Sequence, residues 1–178
     1  MENNKSLTIT KTELLKIYSP KEMQIAFKNI TSAIEAIGAG TDAICTLANT
    51  LGSEKVCALI KLHLIELNEI LNLKKPLTER MIDVIAEDIM DEFKLLTMAD
   101  VYLVFKRIRT GYYGEMYESI NGAKMIPWFR EYFHERCDCA AEISIREHEE
   151  NKQEVFPRKD DGFKDFKRNY KIENLKKQ

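Results

Sequence analysis

The chain has 178 residues, 44% of them apolar and 31% charged. That length most often forms one domain, and the apolar content supplies a buried core, which excludes a chain disordered as a whole. The net charge of −2 divides unevenly, with +1 over residues 1–76, −6 over 77–149 and +3 over 150–178, so nucleic-acid contact would work against an acidic middle.

The opening residues, "MENNKSLTIT", have no basic stretch leading into an apolar run, so no signal peptide is expected. No window approaches the roughly eighteen uninterrupted apolar residues of a membrane span. A cytoplasmic location without membrane contact is therefore expected. There Cys45, Cys57, Cys137 and Cys139 would be reduced thiols, with Cys45 and Cys57 as small core residues.

Helical periodicity dominates the chain. In "SPKEMQIAFKNITSAIEAIGAG", Ser19 is a candidate N-cap and Pro20 the first helical residue. Met23, Phe27, Ile30, Ile34 and Ile37 recur at steps of three and four, and Gly38 and Gly40 end the run. A short helix over 41–51 follows, with Ala43, Ile44 and Leu47 inward. Gly52 and Ser53 then punctuate the chain.

"SEKVCALIKLHLIELNEILNL" carries the widest apolar stripe, through Val56, Leu59, Ile60, Leu64, Leu67 and Leu71, which predicts the central helix of a bundle. His63 lies inside that stripe and reads as a packed histidine bonded to a neighbour. After Pro76, Thr78 is the candidate N-cap of a helix whose inner face is Ile82, Ile85, Ile89, Phe93 and Leu96. Its outer face holds Glu87, Asp88, Asp91 and Glu92. A di-metal bundle would recruit Glu-x-x-His repeats from other helices, and the chain has none, so these carboxylates read as a solvated face.

Thr97 with Asp100 forms a weaker capping box for the next helix, with Val101, Val104, Phe105 and Ile108 inward. Gly111 is placed as the left-handed residue that ends it. The last long helix starts near Asn121 or Gly122, or later, because Pro127 is tolerated only in or near a first turn. It runs through Trp128, Phe129, Tyr132, Phe133 and Cys137 toward Ile143. The predicted fold is all-α, a compact bundle of five or six helices over residues 1–150. A charged, mostly mobile C-terminal tail follows over 151–178. In the tail Phe163, Phe166 and Tyr170 alternate with basic residues, a pattern suited to stacking with single-stranded nucleic acid or to docking as a short amphipathic helix.

Catalytic templates are missing. There is no phosphate-binding glycine loop, no H-E-x-x-H and no G-x-S-x-G. In "HERCDC", Cys139 is turned about 200° from Cys137 on a helix and no second cysteine pair completes a tetrahedral site, so no metal is expected. The reading is a non-enzyme without a cofactor.

The stretch "VFKRIRTGYYGEMYESINGAKMIPWFREYF" is the densest in aromatic and basic residues. Tyr102, Lys106 and Arg109 fall at i, i+4 and i+7 on one helix side, with Arg107 at its edge, and so read as an exposed basic stripe. Tyr112, Tyr113 and Tyr117 follow on a glycine-turned loop. Together these seven residues form the candidate binding surface, for DNA or a protein. The alternative is that the tyrosines sit under the last helix against Trp128 and Tyr132.

The run "LTMADVYLVFKRIRTGYYGEMYESINGAKMIPWFREYFHERC" resembles small uncharacterised proteins of gut-bacterial mobile elements and phages, which carry the pattern aD…F…G.YG..Y…I…W…Y…R. The matching residues are Ala99, Asp100, Phe105, Gly111, Tyr113, Gly114, Tyr117, Ile126, Trp128, Tyr132 and Arg136. The preceding "LTERMIDVIAEDIMDEFKLLTMADV" is similar to the end of phage helicase-loader domains. These resemblances imply a non-enzymatic accessory factor linked to DNA replication, with DNA or a replication protein as partner. The rival expectation is a protein–protein adaptor without nucleic-acid contact, whose acidic helix over 78–96 faces a basic partner.

Overall fold

Side-chain caps set four of the seven helix starts in the computed structural model, which describes residues 16–114 and 118–155. Among the described residues the protein is all-α, with only two isolated bridges, Ala43 with Thr97 and Lys75 with Ser119. The elements are α1 Pro20–Ala26, α2 Ala33–Gly38, α3 Ile44–Leu51, α4 Ser53–Leu71, α5 Glu79–Glu92, α6 Met98–Arg109 and α7 Gly122–Val155. The chain divides into two compact units, Met1–Ala140 and Ala141–Gln178, inside α7 and before the apolar pattern fades at Glu150. The expected mobile tail lies outside the described residues, apart from its first few.

The first predicted helix is two helices. Ser19 and Pro20 start α1 as expected, but α1 stops at Ala26. Ser32 then caps α2 through a complete capping box: the Glu35 amide donates to the Ser32 hydroxyl, and the Glu35 carboxylate accepts from the Ser32 and Thr31 amides. Three satisfied amides at that point outweigh helix continuation. The break also rotates the apolar pattern. Ala33 and Ala36 are buried in place of Ile34, which is exposed.

The Thr78 hydroxyl accepts from the Met81 amide, and Ile82, Ile85 and Ile89 face the core, with Phe93 and Leu96 buried just beyond the end of α5. Asn68 on α4 clamps the turn before it, donating to the Leu77 carbonyl and accepting from its amide. Asn121 caps α7 through the Lys124 amide, so the helix does begin at Gly122 and Pro127 is carried within it. Glycine fits there because a Cβ would stand 3.3 Å from Ile85, and this close approach seats α7 against α5.

Helix α4 touches α1, α3, α5 and α6, in keeping with its wide stripe. The helix enclosed on all sides, however, is α6, which also meets α1 and α2. Its buried residues run without interruption from Met98 to Phe105 and include Asp100, and Arg107 and Ile108 follow. Phe129 of α7 closes over it, with its ring 5.6 Å from Phe105 and 5.5 Å from Phe93.

Candidate functional site

Thr97 and Asp100 form a full capping box at the head of α6. The Asp100 carboxylate is fully buried and takes four donors: the Thr97 amide at 2.8 Å, the Thr97 hydroxyl at 2.9 Å, the Tyr132 hydroxyl at 2.5 Å and the Arg136 Nε at 2.8 Å. A buried carboxylate needs this many partners to offset its desolvation. One turn of α7 away, Arg107 makes a bidentate pair with Glu135 at 2.5 and 2.8 Å. Its guanidinium also lies 4.6 Å from the Tyr112 ring centre and 5.2 Å from that of Tyr132. The Glu135 pair raises the Arg107 pKa further, and Arg107 in turn holds the Glu135 carboxyl below its usual range. Burial, followed by the Asp100 charge, raises the Tyr132 phenol far above its ordinary value.

The end of α6 is a Schellman motif. The Tyr112 amide donates to the Arg107 carbonyl and the Gly111 amide to that of Ile108, with Gly111 at φ +77°. This turn delivers Tyr113 onto Trp128, the rings stacked 13° from parallel at 5.2 Å. The Tyr113 hydroxyl is buried near Arg107 without a hydrogen-bond partner among the described residues, and burial pushes it up to about 12. Motif residues Asp100, Gly111, Tyr113, Trp128, Tyr132 and Arg136 thus belong to one latch that fastens α7 and the tyrosine turn to α6.

The basic stripe predicted from spacing is not freely exposed. Tyr102 is only 3% exposed and accepts a hydrogen bond from Arg109 at 3.0 Å, with the Arg109 guanidinium 5.1 Å from its ring centre. The Lys106 ammonium donates to the Lys28 and Ile30 carbonyls at 2.8 and 2.7 Å, tying down the link between α1 and α2. Arg107 is buried in the latch. The spacing puts Tyr102, Lys106 and Arg109 on a common side of α6, but there Tyr102 is buried and the half-buried Lys106 and Arg109 are bonded into the fold. Of the loop tyrosines, Tyr112 is exposed, Tyr113 is half-buried and Tyr117 lies outside the described residues.

An open site lies elsewhere, in a groove of about 560 Å³ between α3, α4 and α5. Its half-buried floor is Ala48, Cys57 and Met90, over the fully buried Ile44. Glu54 on α4 and Glu87 and Asp91 on α5 form the rim, and none of the three makes an ion pair among the described residues. Lys61 also lines the groove but is held by Asp83 at 2.7 Å, and Lys94 is the remaining cation. Glu79, Asp83, Glu87 and Asp91 follow one another at steps of four, making a carboxylate ridge along α5. Glu92 stands off that ridge, paired with Arg130. Burial raises the Cys57 thiol, which leaves it a poor nucleophile at neutral pH.

The ridge is visible in the α5 sequence. The opposite wall is not, because Cys45, Glu54 and Cys57 reach it only through the folding of α3 and α4 against α5. Among the described residues no group of three or more His, Cys, Asp or Glu is arranged to hold a metal, and no helix is long and apolar enough to cross a membrane. No family model, curated protein or solved structure matches the chain.

Proposed function

We propose that the protein is a non-enzymatic accessory factor that works by protein–protein contact, through the acidic face of α5. The observation that carries this reading is the contrast between its charges. Lys106, Arg107 and Arg109 are engaged within the fold, whereas Glu87 and Asp91 stand exposed and unpaired among the described residues. Phosphate contact needs free cations. In the described part of the candidate DNA surface Arg107 is neutralised by Glu135, the Lys106 and Arg109 heads are bonded to carbonyls and to the Tyr102 hydroxyl, and the exposed ring is that of Tyr112. A protein partner with a basic face fits the molecule better. Following the resemblance to mobile-element and phage proteins, that partner would be a replication protein.

Photo-crosslinking in the host from an aromatic-ketone amino acid placed at Glu87, with a control at Tyr112, tests this reading. A discrete protein adduct specific to position 87, with no saturable binding of single- or double-stranded DNA at low salt, is the expected result. Nucleic-acid adducts, or DNA affinity with a steep salt slope, would restore the DNA reading.

A further inference from the structure

We infer that the groove between α3, α4 and α5 receives a cationic amphipathic peptide segment, its apolar side chains on the floor and its lysine or arginine heads at the rim. This deepens the adaptor reading and rests on it. The volume of about 560 Å³ lies within the range of ligand-binding clefts, and the floor of Ala48, Cys57 and Met90 is apolar without being closed over. A helix laid in such a groove buries its apolar face and leaves its flanks at the edges.

The charges at those edges select the occupant. With Lys61 neutralised by Asp83, the three carboxylates of Glu54, Glu87 and Asp91 outnumber the one remaining cation, Lys94. They stand on both walls, Glu54 on α4 and the other two on α5, so a basic side chain on either flank of a bound segment meets an acid.

Phosphate-bearing ligands are disfavoured on separate grounds. The amide groups of Ile44 and Cys45 at the start of α3, which would otherwise favour an anion, already donate to the Leu96 and Lys94 carbonyls at 2.8 and 3.0 Å. Those two amides are therefore closed to an anion, and the rim carboxylates, three against Lys94, repel one on balance.

The groove carries its own reporters, because Cys45 and Cys57 both line it. The probe is a fluorescent leucine–lysine helical peptide of about 16 residues, some four turns, with a leucine–glutamate peptide of the same pattern as control. Anisotropy with the full chain should show saturable binding of the lysine peptide alone. Its occupancy should slow iodoacetamide alkylation of Cys45 and, run above neutral pH where the raised thiol ionises, of Cys57, read site by site by mass spectrometry, while exposed Cys137 reacts unchanged.

The double variant Glu87→Lys/Asp91→Lys alters only exposed side chains, and its folding is checked by circular dichroism. It should weaken binding by roughly tenfold or more, as expected for removing close charge pairs. Lack of binding, equal binding of the acidic peptide, or binding that leaves both thiols unprotected would overturn the inference. If the position 87 protein adduct persists alongside such a failure, the adaptor reading stands and the groove is not its contact. If neither appears, both fall.

Discussion

Replacing Asp100 by asparagine keeps the shape of the side chain and removes its charge. Oδ1 accepts from Tyr132 and Oδ2 from Thr97 and Arg136, so the new amide group, itself a donor, faces either the Tyr132 hydroxyl or the Thr97 and Arg136 donors. Arg136, only 18% exposed at its side chain, loses its counter-ion. Hydrogen bonds to a charged partner contribute about 1.5–3 kcal/mol each, and breaking a buried pair from one side costs about 3–5 kcal/mol. The partial exposure of Arg136 argues for the lower half of that range, so Asp100→Asn should destabilise the fold by about 3–4 kcal/mol. Tyr132→Phe deletes one of the four donors and should cost about 2 kcal/mol. Urea denaturation of both variants and of the double variant gives the losses and their coupling. The double variant should lose less than the sum, because both changes break the same bond. A loss under about 1 kcal/mol for Asp100→Asn would show that the latch does not hold α7 to α6 and would refute the structural account of the motif.

Three further outcomes are expected. The His63 ring is buried, donates through Nε2 to the Tyr18 carbonyl and lies 14° from parallel to Phe105, and burial pushes its pKa down to about 4. As pH falls below the unfolded value of 6.5, the unfolded chain takes up a proton that the folded core refuses. Stability is therefore lost with acid, by about 2 kcal/mol between pH 7 and 5, and His63→Leu should flatten that part of the profile measured by denaturation at each pH. Trp128→Ala removes the platform under Tyr113 and should cost about 3 kcal/mol, the lower end for aromatics because Trp128 is half-buried. The same stack predicts wild-type tryptophan emission blue-shifted from that of hydrated indole. Finally, Lys106→Glu with Arg109→Glu should lower stability by about 2 kcal/mol or more, since Lys106 satisfies two carbonyls and Arg109 the Tyr102 hydroxyl. An unchanged thermal midpoint would return both side chains to solvent.

What could be read along the chain was whatever local chemistry decides. Thr78, Thr97 with Asp100 and Gly111 mark helix ends because a cap satisfies amides or carbonyls within a few residues of itself, and Pro20 marks the start of α1 through its fixed φ, since Ser19 makes no side-chain cap bond. Packing of the loop tyrosines against Trp128 was the alternative to the binding-surface reading, and for Tyr113 it is the one the structure shows. The division of α1 from α2 was written in Ser32 and Glu35, but the apolar period running through Ile34 pointed the other way. The period was wrong because the capping box changed the phase of the helix.

Only tertiary structure decided which sides of α6 meet water. A spacing of four and seven fixes that Tyr102, Lys106 and Arg109 share a side of the helix, but solvent is whatever the other helices leave uncovered. Here α1, α2, α4 and the rings of α7 cover nearly everything. The partners that make burial of Asp100 and Arg107 tolerable, Tyr132, Glu135 and Arg136, lie on a different helix, and no local pattern pairs them in advance. The groove arises in the same way. Its acidic ridge is periodic within α5 and legible, whereas its floor exists only because the turn at Gly52 brings α3 and α4 together beside α5 and leaves Ala48, Cys57 and Met90 incompletely covered.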